Sequence, residues 1–240
     1  MRSLSLALMV ALLGCSRSSE PDRGLPGHPP EANAAHHSDP PWGGLQVESS
    51  GVALEAADQI VVLLHGYGSN ARDLVQLGDY IGGDSRAFVY PTAPIANGRG
   101  GFAWATTQSE MDAAQAQLES LVRFVARSYP NAEIAVGGFS QGATLSSRLL
   151  TVPDLSVRHL LLYSPSLTVS AAVIIPGNDV RVLLAHGQQD DRVPFTDSSQ
   201  LQMLLEQRGI DTNWLPFEGG HTITAEALDA TISQLSEPRD

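Results

Sequence analysis

The chain has 240 residues, 42% of them hydrophobic and 17% charged, with a formal net charge of -12. That length and composition fit one globular domain with its own core and are short for two. The acidic balance disfavours a phosphate backbone as partner. No Walker loop, dinucleotide fingerprint or zinc-ligand spacing is present, so neither nucleic-acid binding nor a nucleotide cofactor nor a metal centre is expected.

The first informative stretch is the N-terminus. Arg2 supplies one positive charge, and Leu4 to Leu13 is almost wholly apolar. This run is too short to span a bilayer and fits the h-region of a secretory signal. It ends in Leu12-Leu13-Gly14-Cys15, which resembles a bacterial lipobox, and Cys15 is the sole cysteine of the chain. The resemblance implies cleavage before Cys15, its lipidation, and anchoring of an exported protein at a membrane of the cell envelope. The alternative is an ordinary signal with a chance cysteine. A single cysteine leaves no internal disulfide, so the fold stands on its core. Residues 16–41 are rich in Ser, Pro, Gly, Glu, Asp and His without a hydrophobic period, and read as a disordered tether. His28, His36 and His37 fall in it and are expected to be solvated rather than ligands. The expected organisation is a signal over 1–14, lipidated Cys15 and tether over 15–41, and a catalytic domain over 42–240.

From Trp42 onward, short apolar runs alternate with amphipathic stretches. Strands are expected at Ile60–Leu64, Phe88–Tyr90, Ile134–Val136, His159–Tyr163, Val180–Ala185 and Asn213–Phe217. Helices are expected at Ala71–Ile81 with Asn70 as cap, after a Ser109/Asp112 capping box, at Gln141–Leu150, at Ser198–Arg208 before Gly209, and at Ala225–Leu235. In the second of these, Met111, Ala114, Leu118, Leu121, Val122 and Val125 share one face. The alternation predicts an α/β fold: a mostly parallel central sheet with helices on both faces and function at the C-terminal strand ends. Between Pro165 and Val180 there is room only for a loop, so no large cap domain is expected.

Gly138-Phe139-Ser140-Gln141-Gly142 fits G-x-S-x-G. The motif alone is weak, but here it lies between an expected strand and an expected helix, the context of a nucleophile elbow. The competing reading is a Gly-rich turn whose serine caps the helix. A serine hydroxyl needs a base to take its proton. In this fold the acid and then the histidine follow the serine, and of the later histidines only His221 leaves room for an acid loop before it. That loop, after the Val180–Ala185 strand, offers Asp190 and Asp191. The acid holds the imidazole tautomer and stabilises the imidazolium. The oxyanion hole needs two backbone N–H groups. One is expected from Gln141 and the other from Tyr67, in the loop His65-Gly66-Tyr67-Gly68. His65 reads as a scaffold residue of that loop.

These residues fall in a pattern that resembles the acyl-protein thioesterase and carboxylesterase/lysophospholipase family of α/β hydrolases. The matching pieces are Leu64-His65-Gly66-Tyr67-Gly68-Ser69-Asn70 with Asp73-Leu74, Tyr90-Pro91-Thr92-Ala93-Pro94, Gly138 to Ala143, His186-Gly187-x-x-Asp190-x-x-Val193-Pro194, and Gly219-Gly220-His221. The resemblance implies an α/β-hydrolase fold and a Ser140–Asp190–His221 triad, and it selects Asp190 over Asp191. It implies cofactor-free hydrolysis of small carboxylic esters through an acyl-enzyme, with thioesters or lysophospholipids as the close alternative. A binding lipoprotein that keeps the fold without the chemistry is the remoter one. Where relatives often carry Trp-Phe-Asp or Trp-Tyr-Asp, this chain has Trp104-Ala105-Thr106. Trp104 is expected to help shape the substrate pocket, but acyl-chain preference does not carry over.

Overall fold

The structure is a computed structural model, and it describes residues 41–98, 100–175 and 179–237. The signal, Cys15 and all but the last residue of the expected tether lie outside the described residues.

Seven strands form one sheet: β1 (Val47–Gly51), β2 (Gln59–Leu64), β3 (Arg86–Pro91), then β6 (Glu133–Phe139), β7 (His159–Tyr163), β8 (Arg181–Gly187) and β9 (Thr212–Phe217). Between β3 and β6 the chain makes a small separate hairpin, β4 (Ile95–Ala96) with β5 (Phe102–Ala103). The spatial order is β1-β3-β2-β6-β7-β8-β9, with β1 antiparallel to β3 and every other pair parallel. This is the α/β-hydrolase architecture expected from the sequence. The helices are α1 (Val75–Ile81), α2 (Gln108–Ser128), α3 (Gln141–Ser147), α4 (Phe195–Gln207) and α5 (Ala225–Leu235). The connection from β7 to β8 contains no helix or strand among its described residues.

Strand side chains alternate between faces, and the two faces build two cores. Val62, Leu64, Val136, Leu162 and Leu184 join Leu118, Val122 and Val125 of α2, Leu145 of α3 and Leu201 of α4. Val61, Leu63, Leu161, Tyr163 and Leu183 point the other way, with Ile81 of α1 and Leu228 and Leu235 of α5. β2, β3 and β7 are buried along their whole length. That is why, beyond their first residues Gln59, Arg86 and His159, they read as apolar runs in the sequence.

Several boundaries differ from expectation. The cap of α2 is Thr107, not Ser109. Thr107 has extended angles and accepts from the Glu110 N–H, while Glu110 reaches back to the Thr107 N–H, so the box is Thr107/Glu110. Ser109 is already inside the helix, and Asp112 instead pairs with Arg148 at 2.6 Å. The helix expected from Ala71 begins as a tight 3-10 turn, Ala71–Leu74, capped by Asn70 and Asp73. α3 likewise tightens after Ser147 into a 3-10 turn over Arg148–Thr151. α4 starts at Phe195, three residues before the expected Ser198, directly after Pro194.

His159 opens β7 only 2% exposed, and among the described residues its Nδ1 has no hydrogen-bond partner. Burial, then the Arg158, Arg181 and Arg86 guanidinium groups, push its pKa down to about 4. An unfolded histidine titrates near about 6.5, so between these values the unfolded chain binds the extra proton. The stability held by neutral His159 is therefore complete above about pH 6.5 and is lost as pH falls toward 4. The loss is about 3 kcal/mol over that window. Burial lowers the pKa of His65 and His186 in the same direction. Urea unfolding at pH 7 and pH 4.5 should show this drop, and His159→Phe should reduce it. An unchanged pH slope in that variant would assign the drop to other groups.

Candidate active site

The sheet reverses its winding between β2 and β6: β3 is laid on one side of β2, and β6 on the other. Ligands in such sheets bind at the C-terminal strand ends beside this reversal. Leu64 pairs with Gly138 there, so the loop after β2 and the turn after β6 leave the sheet side by side.

Ser140 occupies that turn with φ 56° and ψ -117°, a conformation that costs on the order of 1–3 kcal/mol for a non-glycine residue. The strain is held by the surroundings. The Ser140 N–H donates to the Tyr163 carbonyl of β7 at 2.9 Å. Its own carbonyl accepts from the Thr144 N–H at 2.9 Å and the Thr144 hydroxyl at 3.0 Å. A Cβ at Gly142 would lie 2.2 Å from the Leu64 carbonyl oxygen, so only glycine lets α3 start against β2. The serine therefore does not act as an ordinary helix cap: its side chain accepts no cap hydrogen bond.

His221 follows β9, and its Nδ1 donates to Asp190 Oδ2 at 2.7 Å. Its ring lies 4.5 Å, centroid to centroid, from that of Phe139, the residue before Ser140. The Asp190 carboxylate is fully buried. Oδ1 accepts from the Arg192 and Val193 N–H groups, both at 2.9 Å, and Oδ2 also lies 3.2 Å from His186 Nε2. Burial works against its ionisation, but the hydrogen bonds from Val193, His221 and Arg192 outweigh it and hold the pKa below the usual value. Asp191, the other aspartate of the loop, is exposed. His186 is not a free base. Its Nδ1 meets the Ser198 hydroxyl at 2.6 Å and its Nε2 the Val193 carbonyl at 3.1 Å, and it is fully buried.

The loops carrying Asp190 and His221 are clipped together. The Gln189 N–H donates to the Gly219 carbonyl at 2.9 Å, and the Gln189 side chain accepts from the Gly219 N–H at 2.5 Å. A Cβ at Gly187 would lie 2.3 Å from the Gly220 carbonyl oxygen, so the motif glycine admits this contact. Gln189 was not singled out from the sequence, because a glutamine in a polar loop carries no pattern.

On the other side, Tyr67 is 61% exposed. Among the described residues its N–H has no backbone acceptor. Gln141 is the first residue of α3, where the helix leaves the N–H without a partner. Both named donors are thus available. A Cβ at Gly66 would lie 3.4 Å from Ser140 Cβ, so the Tyr67 loop is directly beside the serine. Trp104, expected at the pocket wall, is fully buried, and its indole faces the protein rather than open solvent. Ser164, which follows β7, also escaped the sequence reading. It is fully buried with φ 51°, and its hydroxyl has no partner among the described residues.

Among the described residues no group of three His, Cys, Asp or Glu side chains could hold a metal ion. Nor is any described helix long and apolar enough to cross a membrane.

The fold and its crossing point define an α/β hydrolase. The phospholipase/carboxylesterase family model matches residues 46–237, and the chain belongs to that family. It is 26% identical over 209 residues to acyl-protein thioesterase 1 of Eremothecium gossypii, covering 75% of this chain and 87% of that one. It is 22% identical over 175 residues to the putative hydrolase MhqD of Bacillus subtilis, covering 70% and 88%. Among solved structures, esterase PE8 superposes with a TM-score of 0.69 at 29% identity, over 80% of this chain and 97% of that one. The carboxylesterase of Bacillus cereus shares the fold with a TM-score of 0.66 at 18% identity, over 79% and 92%.

Proposed function

We propose that the chain is a serine carboxylesterase that hydrolyses small carboxylic esters through an acyl-enzyme, with Ser140 as nucleophile, His221 as base and Asp190 as its partner. The observation that carries this reading is the 2.7 Å Asp190–His221 hydrogen bond beside the strained Ser140 turn. With Nδ1–H committed to Asp190, His221 presents an unprotonated Nε2 to accept the Ser140 proton as Oγ attacks the ester carbonyl. The carbonyl oxygen gains negative charge and is met by the Tyr67 and Gln141 N–H groups. Collapse expels the alcohol, which takes the proton from His221. Water then repeats the sequence on the acyl-serine and frees the acid. No step requires a metal or cofactor.

A second reading, hydrolysis of acyl thioesters by the same residues, is supported by the similarity to an acyl-protein thioesterase. Initial rates on p-nitrophenyl esters of increasing acyl length, beside acyl thioesters and lysophosphatidylcholine, rank these substrates. Ester turnover above the others is expected. A folded protein that turns over none of them would be a binding module, and the reading would fall.

We also propose that Cys15 is lipidated and tethers the catalytic domain to a cell-envelope membrane, on the strength of the Leu12-Leu13-Gly14-Cys15 sequence. Cys15→Ser should move the protein from the membrane fraction to the soluble one with its esterase activity intact. A variant still found in the pellet would count against the anchor.

A further inference from the structure

Trp104 and the Gln141 side chain remain unexplained by the triad. The Gln141 amide grips the chain at Trp104 and Ala105: Oε1 accepts from the Trp104 N–H at 2.8 Å, and Nε2 donates to the Ala105 carbonyl at 2.6 Å. The Trp104 indole then donates from Nε1 to the His65 carbonyl at 2.8 Å and lies 5.3 Å, centroid to centroid, from the His65 ring. His65 Nε2 accepts from the Ala93 N–H at 3.0 Å, which puts the ring proton on Nδ1, where it is donated to the Gly66 carbonyl at 2.8 Å. Burial lowers the His65 pKa, so the ring stays neutral in this role. The hairpin leading into Trp104 adds a further tie, from the Gly68 N–H to the Phe102 carbonyl at 2.8 Å.

Every link in this chain is short, and each ring in it is buried. One end is Gln141, whose N–H is one oxyanion donor. The other is His65-Gly66, which leads directly into Tyr67, the second donor. The two donors come from separate loops, after β2 and after β6. Each peptide could otherwise tilt independently, and a donor displaced by a fraction of an ångström loses much of its effect on the transition state.

We propose that Trp104, through its indole N–H, and the Gln141 side chain are positioning residues that lock the two oxyanion donors to each other. Trp104 is then a strut behind the oxyanion hole rather than a wall of the acyl pocket. The proposal rests on the esterase reading above.

Trp104→Phe keeps an aromatic ring and removes the N–H. Gln141→Glu keeps the shape, leaves the backbone donor in place and sets a carboxylate oxygen against the Ala105 carbonyl. Each variant is assayed on a p-nitrophenyl ester and on the matching thionoester, whose sulfur accepts hydrogen bonds from the hole poorly. For the ester, kcat should fall roughly 10- to 100-fold with KM changed by less than about two-fold. The thionoester should lose much less, so the preference for oxygen over sulfur collapses. Circular dichroism and a melting curve establish that each variant is folded, and if Trp104→Phe is not, Gln141→Glu decides. Equal losses on both substrates, or an unchanged oxygen-to-sulfur preference in a folded variant, would overturn the positioning role. Wild-type protein that turns over neither substrate would overturn the esterase reading itself.

Discussion

Ser140→Ala is expected to abolish both labelling by a fluorophosphonate probe and ester turnover, with a loss of roughly 10⁴- to 10⁶-fold in kcat. The physical argument is local. Ser140 sits at φ 56°, and its side chain caps no helix. Its backbone is pinned by Tyr163 and Thr144, so the hydroxyl is free of structural duties. Removing it costs the fold little and removes the atom proposed to form the acyl-enzyme. The variant should therefore melt near the wild-type temperature, because the strained backbone is held by bonds that alanine also makes. Persistent labelling in a folded Ser140→Ala protein would place the nucleophile elsewhere. A large fall in melting temperature would mean that the hydroxyl is structural after all.

The fold was readable in the sequence where elements are buried on both sides. After their first residues, β2 and β7 are unbroken apolar runs because helices cover both faces, and α5 matches its expected range to the residue. β1 escaped because it is an antiparallel edge strand, Val-Glu-Ser-Ser-Gly, partly open to solvent and held by its ladder to β3 rather than by apolar side chains. The β4–β5 hairpin escaped because it is two residues per strand, too short for any period to register. The capping box was misplaced because Thr107 and Ser109 both precede an acidic residue by three, and only backbone angles separate them. In the candidate site, residues with chemistry of their own were legible as candidates: Ser140, Asp190 and His221 have side chains suited to a triad and follow β6, β8 and β9, with the family pattern selecting Asp190 over Asp191. The supports were not. Gln189 and the Gln141 amide act through hydrogen bonds to distant backbone, and no spacing in the sequence announces such a bond.

Asp190→Asn should separate the two adjacent aspartates decisively. In the structure both Asp190 oxygens are acceptors: Oδ1 serves two backbone N–H groups, and Oδ2 faces His221 Nδ1 and His186 Nε2. An asparagine has one carbonyl oxygen. If that oxygen keeps the Arg192 and Val193 contacts, the amide NH₂ points at two ring nitrogens that were donors. His221 can accept from it only by shifting its proton to Nε2, which leaves nothing to take the proton of Ser140. The loss expected is on the order of 10⁴ in kcat, the scale measured for the equivalent change in a serine protease. Turning the amide over instead sets donors against the Arg192 and Val193 N–H groups, so a fully buried side chain is mismatched either way. A stability loss of about 1–3 kcal/mol should accompany the loss of rate. Asp191→Asn changes an exposed side chain and should leave kcat within about two-fold and stability within about 0.5 kcal/mol. Steady-state rates and urea unfolding on both variants give the comparison. If Asp191→Asn is the damaging change, His221 takes its partner from the neighbouring residue in solution, and the role assigned to Asp190 is wrong.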